Sequence, residues 1–321
     1  MSTTAAELKV SALPGDELGA VLRHCSDDSD CSTTAGSTSY ADEEPQVASP
    51  HAEPTLLREP RASETFIIFD WDDTLLPTSF IEEAARMCAP NCALPDLHGQ
   101  AARYRRTPSK TLSRTKQRTQ TTGLPPDFPC YAAIKHHATV VEQVLRAAKA
   151  AAHRVGIVTL SERPWVFESA DKYLPGLDVA ELLKELQIPV YYAPEHQHES
   201  NSEEEDPKVS MKKAAMAEFL QVGFGHDASS DGSLNVVSIG DSMVEKEAAE
   251  ATVRSVELSK TQLSLCKTVK LISDPSLKQL TDELQILSSK LQPIIGHPRD
   301  LDLHVQSPED LTAQIATLSG A

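Results

Sequence analysis

Thr65-Phe-Ile-Ile-Phe-Asp70-Trp-Asp-Asp-Thr-Leu75 joins an unbroken β-branched and aromatic run to a cluster of three carboxylates. A run with no polar alternation is the pattern of a strand covered on both faces, as in the middle of a parallel sheet. Parallel α/β sheets place ligands just beyond the carboxyl ends of their strands, so Asp70 and Asp72 stand where chemistry is expected. The strand is ending at this point, and the two carboxylates can converge on one ion from successive turns of loop. Hard oxygen ligands of that kind suit Mg²⁺.

Outward from this segment, similar runs recur at 155–159 (VGIVT), 188–192 (IPVYY), 235–239 (NVVSI) and 268–272 (TVKLI). Helical patterns lie between most of them. One covers 131–152, another 211–222, and the clearest covers 276–291, where Leu277, Leu280, Leu284, Leu287 and Leu291 step by three and four behind Asp274-Pro275. That stripe suits core packing, and two turns of heptad are short for a coiled coil. The alternation predicts an α/β fold: a three-layer, Rossmann-like core around a mainly parallel sheet. It spans 63–295, with 296–321 as a C-terminal tail.

Two further strand tips carry chemistry. Thr159 ends the 155–159 run and offers a hydroxyl to a phosphate oxygen, with Ser161 close behind. The 235–239 run leads into Gly240-Asp241-Ser242, and Glu245 follows on the next turn. Acidic groups gathered from two strands repel one another. A divalent cation relieves that repulsion and would neutralise a phosphoryl group beside it.

In order and spacing these segments resemble the haloacid dehalogenase superfamily of aspartate-based phosphotransferases, from about Thr65 to Ile272. The first motif reads Phe-Ile-Ile-Phe-Asp70-Trp-Asp72-Asp-Thr74-Leu75, the second Gly156-Ile-Val-Thr159, and the fourth Gly240-Asp241 followed by Glu245. The resemblance implies a Mg²⁺-dependent phosphatase in which Asp70 is the nucleophile that forms an aspartyl-phosphate. Asp72 would act as general acid and then base, with Thr159 and Ser161 on the phosphate. It places the metal on Asp70, the Trp71 backbone carbonyl, Asp241 and Glu245, although many members carry Asp where this chain has Glu245. The third motif is a lysine, for which Lys208, Lys212 and Lys213 are candidates. Lys212, beside the apolar stripe of Met211, Ala215, Phe219 and Val222 near a helix start, is the expected one. Alternatives of other classes are a catalytically silent phosphate-binding or scaffold protein and a phosphotransferase or phosphomutase.

In that superfamily, substrate choice lies in cap insertions, and 77–130 occupies the first cap position. After a short helical start at 80–87 it turns basic, with Arg103, Arg105, Arg106, Lys110, Arg114, Lys116 and Arg118 and no acidic residue from His98 to Pro126. It does not read as a compact lid, so an open site accepting large substrates such as phosphoproteins is expected. A phosphorylated small molecule is the other substrate class.

Composition sets the remaining bounds. The 321 residues include 30 Lys and Arg against 47 Asp and Glu, a net charge of −17 that argues against general attraction to nucleic acid or anionic lipid. Residues 1–62 hold 4 basic and 11 acidic side chains without a sustained apolar period and read as a disordered acidic arm. Within it, 5–22 could form a short helix and the Ser-Asp stretch at 25–39 could be phosphorylated. This arm and the basic loop are the candidate surfaces for protein partners. No apolar run is long enough to span a bilayer and no signal peptide is evident, which predicts an intracellular, cytoplasmic protein. Six scattered cysteines do not make a disulfide framework, and neither Cys88 with Cys92 nor His196 with His198 completes a zinc-like set. Glu203, Glu204, Glu205 and Asp206 read as a solvated loop.

Overall fold

A computed structural model of the protein describes residues 65–88, 124–128, 130–196, 206–224, 234–259 and 264–318. The acidic arm, the Arg103 to Arg118 segment, Cys92, His198 and Glu203 to Glu205 lie outside these residues.

The opening segment forms strand β1 (Thr65–Phe69), buried at every position. Helix α1 (Thr78–Cys88) follows the carboxylate turn, and α2 (Tyr131–Ala151) leads into β2 (Arg154–Thr159). Two short helices, α3 (Trp165–Tyr173) and α4 (Val179–Glu185), connect β2 to β3 (Val190–Tyr192). Then come α5 (Pro207–Phe224), β4 (Leu234–Gly240), α6 (Met243–Ser259), β5 (Ser264–Lys270), α7 (Leu277–Gly296), β6 (Leu301–His304) and α8 (Pro308–Leu318).

The six strands form one sheet in the order β3-β2-β1-β4-β5-β6, and every neighbouring pair is parallel. The chain winds outward from β1 in one direction and from β4 in the other. The gap between the tips of β1 and β4 is therefore the topological switch point, where α/β sheets bind ligands. Asp70 stands there: its backbone N–H donates to the Ile239 carbonyl of β4 at 2.9 Å, carrying the pairing one residue past the strand.

Strand alternation sends side chains to two apolar layers. Ile67, Phe69, Val155, Ile157, Val237 and Ile239 pack with α2, α3, α4, α7 and α8, while Phe66, Ile68, Val158 and Val236 pack with α5 and α6. The result is a three-layer α/β fold of Rossmann-like type. Among the described residues no helix is long and apolar enough to cross a membrane.

Four elements differ from expectation. β5 begins at Ser264 rather than at Thr268, because the buried Lys267 interrupts its apolar run. The Lys267 ammonium donates to the Ile295 carbonyl, to which Asn235 Nδ2 also donates at 3.2 Å. This carbonyl lies in the last turn of α7, where helix carbonyls lack internal partners and a cation is favoured. Helix α7 itself starts on a capping box, with Ser276 and Gln279 each serving the other's backbone N–H. It runs past Leu291, through a kink at Lys290, to Gly296. The residues read as a tail instead supply β6 and α8, and Leu303, Leu311 and Ile315 join the core. With a strand of only 4 residues, the alternation of Leu301 and Leu303 with exposed Asp302 and His304 is too brief to stand out.

Helix α5 approaches the sheet through a glycine. A Cβ on Gly156 of β2 would lie 2.8 Å from the Phe219 ring. Gly156→Ala is expected to lower stability by ~1–3 kcal/mol through overpacking, with partial recovery in the Gly156→Ala/Phe219→Leu double variant, as measured by urea unfolding.

Candidate active site

The lysine of α5 decides the geometry. Asp206 caps the helix, its carboxylate accepting from Lys208 N–H at 2.8 Å, and the buried row Met211, Ala215, Met216, Phe219 and Leu220 lays the helix on the sheet. Lys212 is thereby 1% exposed, and its Nζ donates to Asp70 Oδ1 at 2.6 Å and to Glu245 Oε1. The structure brings Lys212 to Asp70, while Lys208 is exposed at the helix start and Lys213 is half-buried. Burial works against the Lys212 charge, but Asp70 and Glu245 outweigh it and hold the ammonium above its ordinary range.

Glu245 reaches back from α6 over the end of β4. Its Oε2 accepts from Ser242 N–H at 2.9 Å and from the Ser242 hydroxyl. Gly240 makes this fold-back possible, since a Cβ there would lie 2.4 Å from Glu245 Cγ. Burial raises the Glu245 carboxyl, but Lys212 and Ser242 lower it further, so it stays below its ordinary value. Expected as a metal ligand, Glu245 has both oxygens engaged here and serves as the counter-ion that orients Lys212.

Asp70 is only 7% exposed. Burial pushes its carboxyl well up; Lys212 opposes this, and Glu245, Asp241 and Asp72 add to it. Asp241, at the tip of β4, is pushed up to about 7 by burial, then by Glu245 and Asp73, with Lys212 acting in the opposite sense.

The turn after β1 is closed by the Trp71 carbonyl, which accepts from Leu75 and Leu76 N–H, both at 2.9 Å, and from Thr74 N–H at 3.4 Å. Its lone pairs are thus employed inside the turn. The Trp71 carbonyl, expected as a metal ligand, is held within the turn by these bonds, and the Asp70 and Asp241 side chains beside it are carboxylates that could hold a cation. The Trp71 indole donates to Ser169 Oγ at 3.0 Å in the core. Asp73 takes the left-handed conformation (φ 51°), and its carboxylate accepts from Ser79 N–H at 2.8 Å and Ser79 Oγ at 2.6 Å. From below, His137 on α2 approaches the Leu75 carbonyl through Nε2 and Thr281 Oγ1 through Nδ1, each at 3.0 Å.

Asp72 is encircled by donors. Thr78 Oγ1 reaches Oδ1 at 2.7 Å, Trp165 Nε1 reaches Oδ1 at 2.9 Å, and Ser161 Oγ reaches Oδ2 at 2.7 Å. Ser161, expected on phosphate, thus directs its hydroxyl at Asp72. Thr159 Oγ1 accepts from Ser161 N–H at 3.0 Å, a bond that does not use the hydroxyl hydrogen of Thr159.

Sequence reasoning did not single out Thr78, Trp165, Ser242, His137 or Glu283. Glu283, fully buried on α7, accepts from Ile272 N–H at 3.1 Å through Oε1, while its Oε2 has no hydrogen-bond partner. Burial pushes it up to about 7, and Asp241 adds to that rise. Only Trp165 carried a signal, as one of 2 tryptophans in the chain and just beyond a strand tip.

Burial first, and then neighbouring carboxylates, raise the Asp70, Asp73 and Asp241 carboxyls beside Lys212, an excess of negative charge that suits a divalent cation. Among the described residues no trio of His, Cys, Asp and Glu side chains already forms a metal cage. Mg²⁺ needs less than that, because it binds through one or two carboxylates and retains water or takes phosphate oxygens. Asp70 with Asp241 fits that requirement.

No family model, curated protein or solved structure matches this chain. Its class is therefore defined by fold and site: a Rossmann-like α/β protein with a buried lysine–carboxylate centre at the switch point of its sheet.

Two pH effects follow. Asp241 has a raised folded pKa of about 7, so its ionisation costs stability as pH rises from about 4 through 7. In metal-free buffer Asp241→Asn is expected to be more stable than the parent by ~2 kcal/mol at pH 8, after discounting for partial exposure, with no gain at pH 4. His137 is held neutral by burial, its pKa lowered to about 4 despite the bond to Leu75. Its contribution is present above about pH 6.5 and is lost as pH falls through 4, a change of ~3 kcal/mol. Unfolding curves of the parent and His137→Gln across that window should differ by this amount in pH dependence.

Proposed function

We propose that this protein is a Mg²⁺-dependent phosphomonoester hydrolase working through an aspartyl-phosphate on Asp70. The observation that carries the proposal is the buried Lys212 ammonium, 2.6 Å from Asp70 Oδ1 at the switch point, with Asp72 two residues further along the same turn. The motif resemblance to the haloacid dehalogenase superfamily supports the same reading.

Asp70 attacks phosphorus through a carboxylate oxygen, and the bond from phosphorus to the ester oxygen breaks. Lys212 steadies the charge on the nucleophile and the incoming phosphoryl group, and Thr159 donates its hydroxyl to a phosphoryl oxygen. Asp72 gives a proton to the departing alcohol. It then takes one from the water that attacks phosphorus, releasing inorganic phosphate and restoring the Asp70 carboxylate. Asp70 and Asp241 would hold Mg²⁺, which when bound supplies positive charge to the phosphoryl oxygens. The substrate is a phosphorylated small molecule or protein.

The test is turnover of p-nitrophenyl phosphate by the full chain with Mg²⁺ and with EDTA. Asp70→Asn should abolish turnover and Asp72→Asn should reduce it by roughly 10²–10⁴-fold. The parent should also form a hydroxylamine-sensitive phosphoprotein that Asp70→Asn does not form. Turnover that survives Asp70→Asn, or that ignores EDTA, would refute the proposal.

A further inference from the structure

The carboxylate assigned to proton transfer is held mostly by residues outside the motif that contains it. Asp72 takes one donor from α1 (Thr78), one from the loop after β2 (Ser161) and one from the first residue of α3 (Trp165). These donors are not equivalent. A hydroxyl rotates and can donate elsewhere, and Thr78 Oγ1 has a second acceptor in the Leu76 carbonyl at 3.4 Å. An indole N–H only donates, and its direction is set by the whole ring.

The loop that leads to that ring is tied by several contacts. Trp165 N–H bonds to the Glu162 carbonyl at 2.9 Å, which closes the loop onto the helix start. Arg163 forks onto Glu195 at 2.9 and 3.1 Å, and its guanidinium stacks 4.7 Å above the Tyr192 ring. The loop is thus linked to β3 and the segment after it, and from its end the indole reaches Asp72 Oδ1.

We infer that Trp165 is the positioning residue of Asp72, which makes the loop after β2 part of the proton-transfer apparatus and suits the site to alkyl phosphomonoesters. The inference rests on the phosphatase reading and deepens it. An alkoxide departs poorly without a proton, so hydrolysis of an alkyl ester depends on the placement of Asp72. A nitrophenolate departs without one. Loss of the indole N–H therefore separates the two ester classes in kcat/KM, which reports the release of the alcohol and not the later attack of water that both esters share, whereas general structural damage would lower both alike.

The experiment measures kcat and KM of the full chain on glycerol 2-phosphate and on p-nitrophenyl phosphate, for the parent, Trp165→Phe, Trp165→Leu and Trp165→His. The phenylalanine and leucine variants remove the donor with different bulk, so either one carries the test if the other fails to fold. Each should lose ~30-fold or more in kcat/KM on glycerol 2-phosphate but less than about threefold in kcat/KM on p-nitrophenyl phosphate. Trp165→His, which retains a ring N–H, should recover part of the loss on the alkyl ester. Equal losses on both esters, or none on either, would overturn the role of Trp165 while leaving the phosphatase reading intact. A parent that turns over neither ester in Mg²⁺ would remove the phosphatase reading, and this inference with it.

Discussion

The ammonium of Lys212, enclosed between Asp70 and Glu245, is the contact around which the rest of this site is arranged. A buried lysine is costly unless its charge is paired and its protons are used, and removal of either carboxylate would leave an uncompensated charge inside the protein. The pairing needs three close approaches at once. Helix α5 must sit low on the sheet, which Gly156 permits beneath Phe219. Glu245 must fold back across the end of β4, which Gly240 permits. β1 and β4 must lie side by side so that Asp70 and Glu245 flank one cation, which the strand order ensures.

What Lys212 leaves unbalanced is equally telling. Asp241 and Glu283 both titrate near 7 because burial and neighbouring carboxylates oppose their ionisation. A protein selected for stability alone has no reason to keep acidic groups in such places, and clustered perturbed carboxyls are a mark of functional sites. The opposite end of the sheet shows the contrast. There Lys267 and Asn235 both donate to the last turn of α7, an arrangement that satisfies a helix terminus, and burial lowers the Lys267 ammonium to about 8 rather than raising it as the carboxylates raise Lys212.

Much of the fold was legible because β1, β2 and β4 are covered on both faces and read as nearly continuous apolar runs. β5 was half-legible because its centre holds Lys267, whose long stem fills core space while its head finds a helix carbonyl. β6 and α8 were missed because an edge strand of 4 residues alternates too briefly to be distinguished from a tail. In the site, Asp70, Asp72, Thr159 and Asp241 stood out in the sequence because each lies at or within three residues of the end of an apolar run. Trp165 was not, since its contact with Asp72 joins residues 93 positions apart through the path of a loop.

The order of apolar runs and the residues that end them, both plain in the sequence, determined an α/β protein with carboxylates gathered at its strand tips. Which lysine meets those carboxylates was left to the tertiary structure. Lys208 and Lys212 share a helix face one turn apart, and Lys213 is rotated by about 100° from Lys212. Only the docking of α5 on β2 sets which of them enters the sheet edge, and it selects Lys212 because Phe219 seats on Gly156 at that depth and rotation. The same holds for Asp72: side-chain spacing places the carboxylate, while the donors that aim it come from elements that meet only once the three layers have packed.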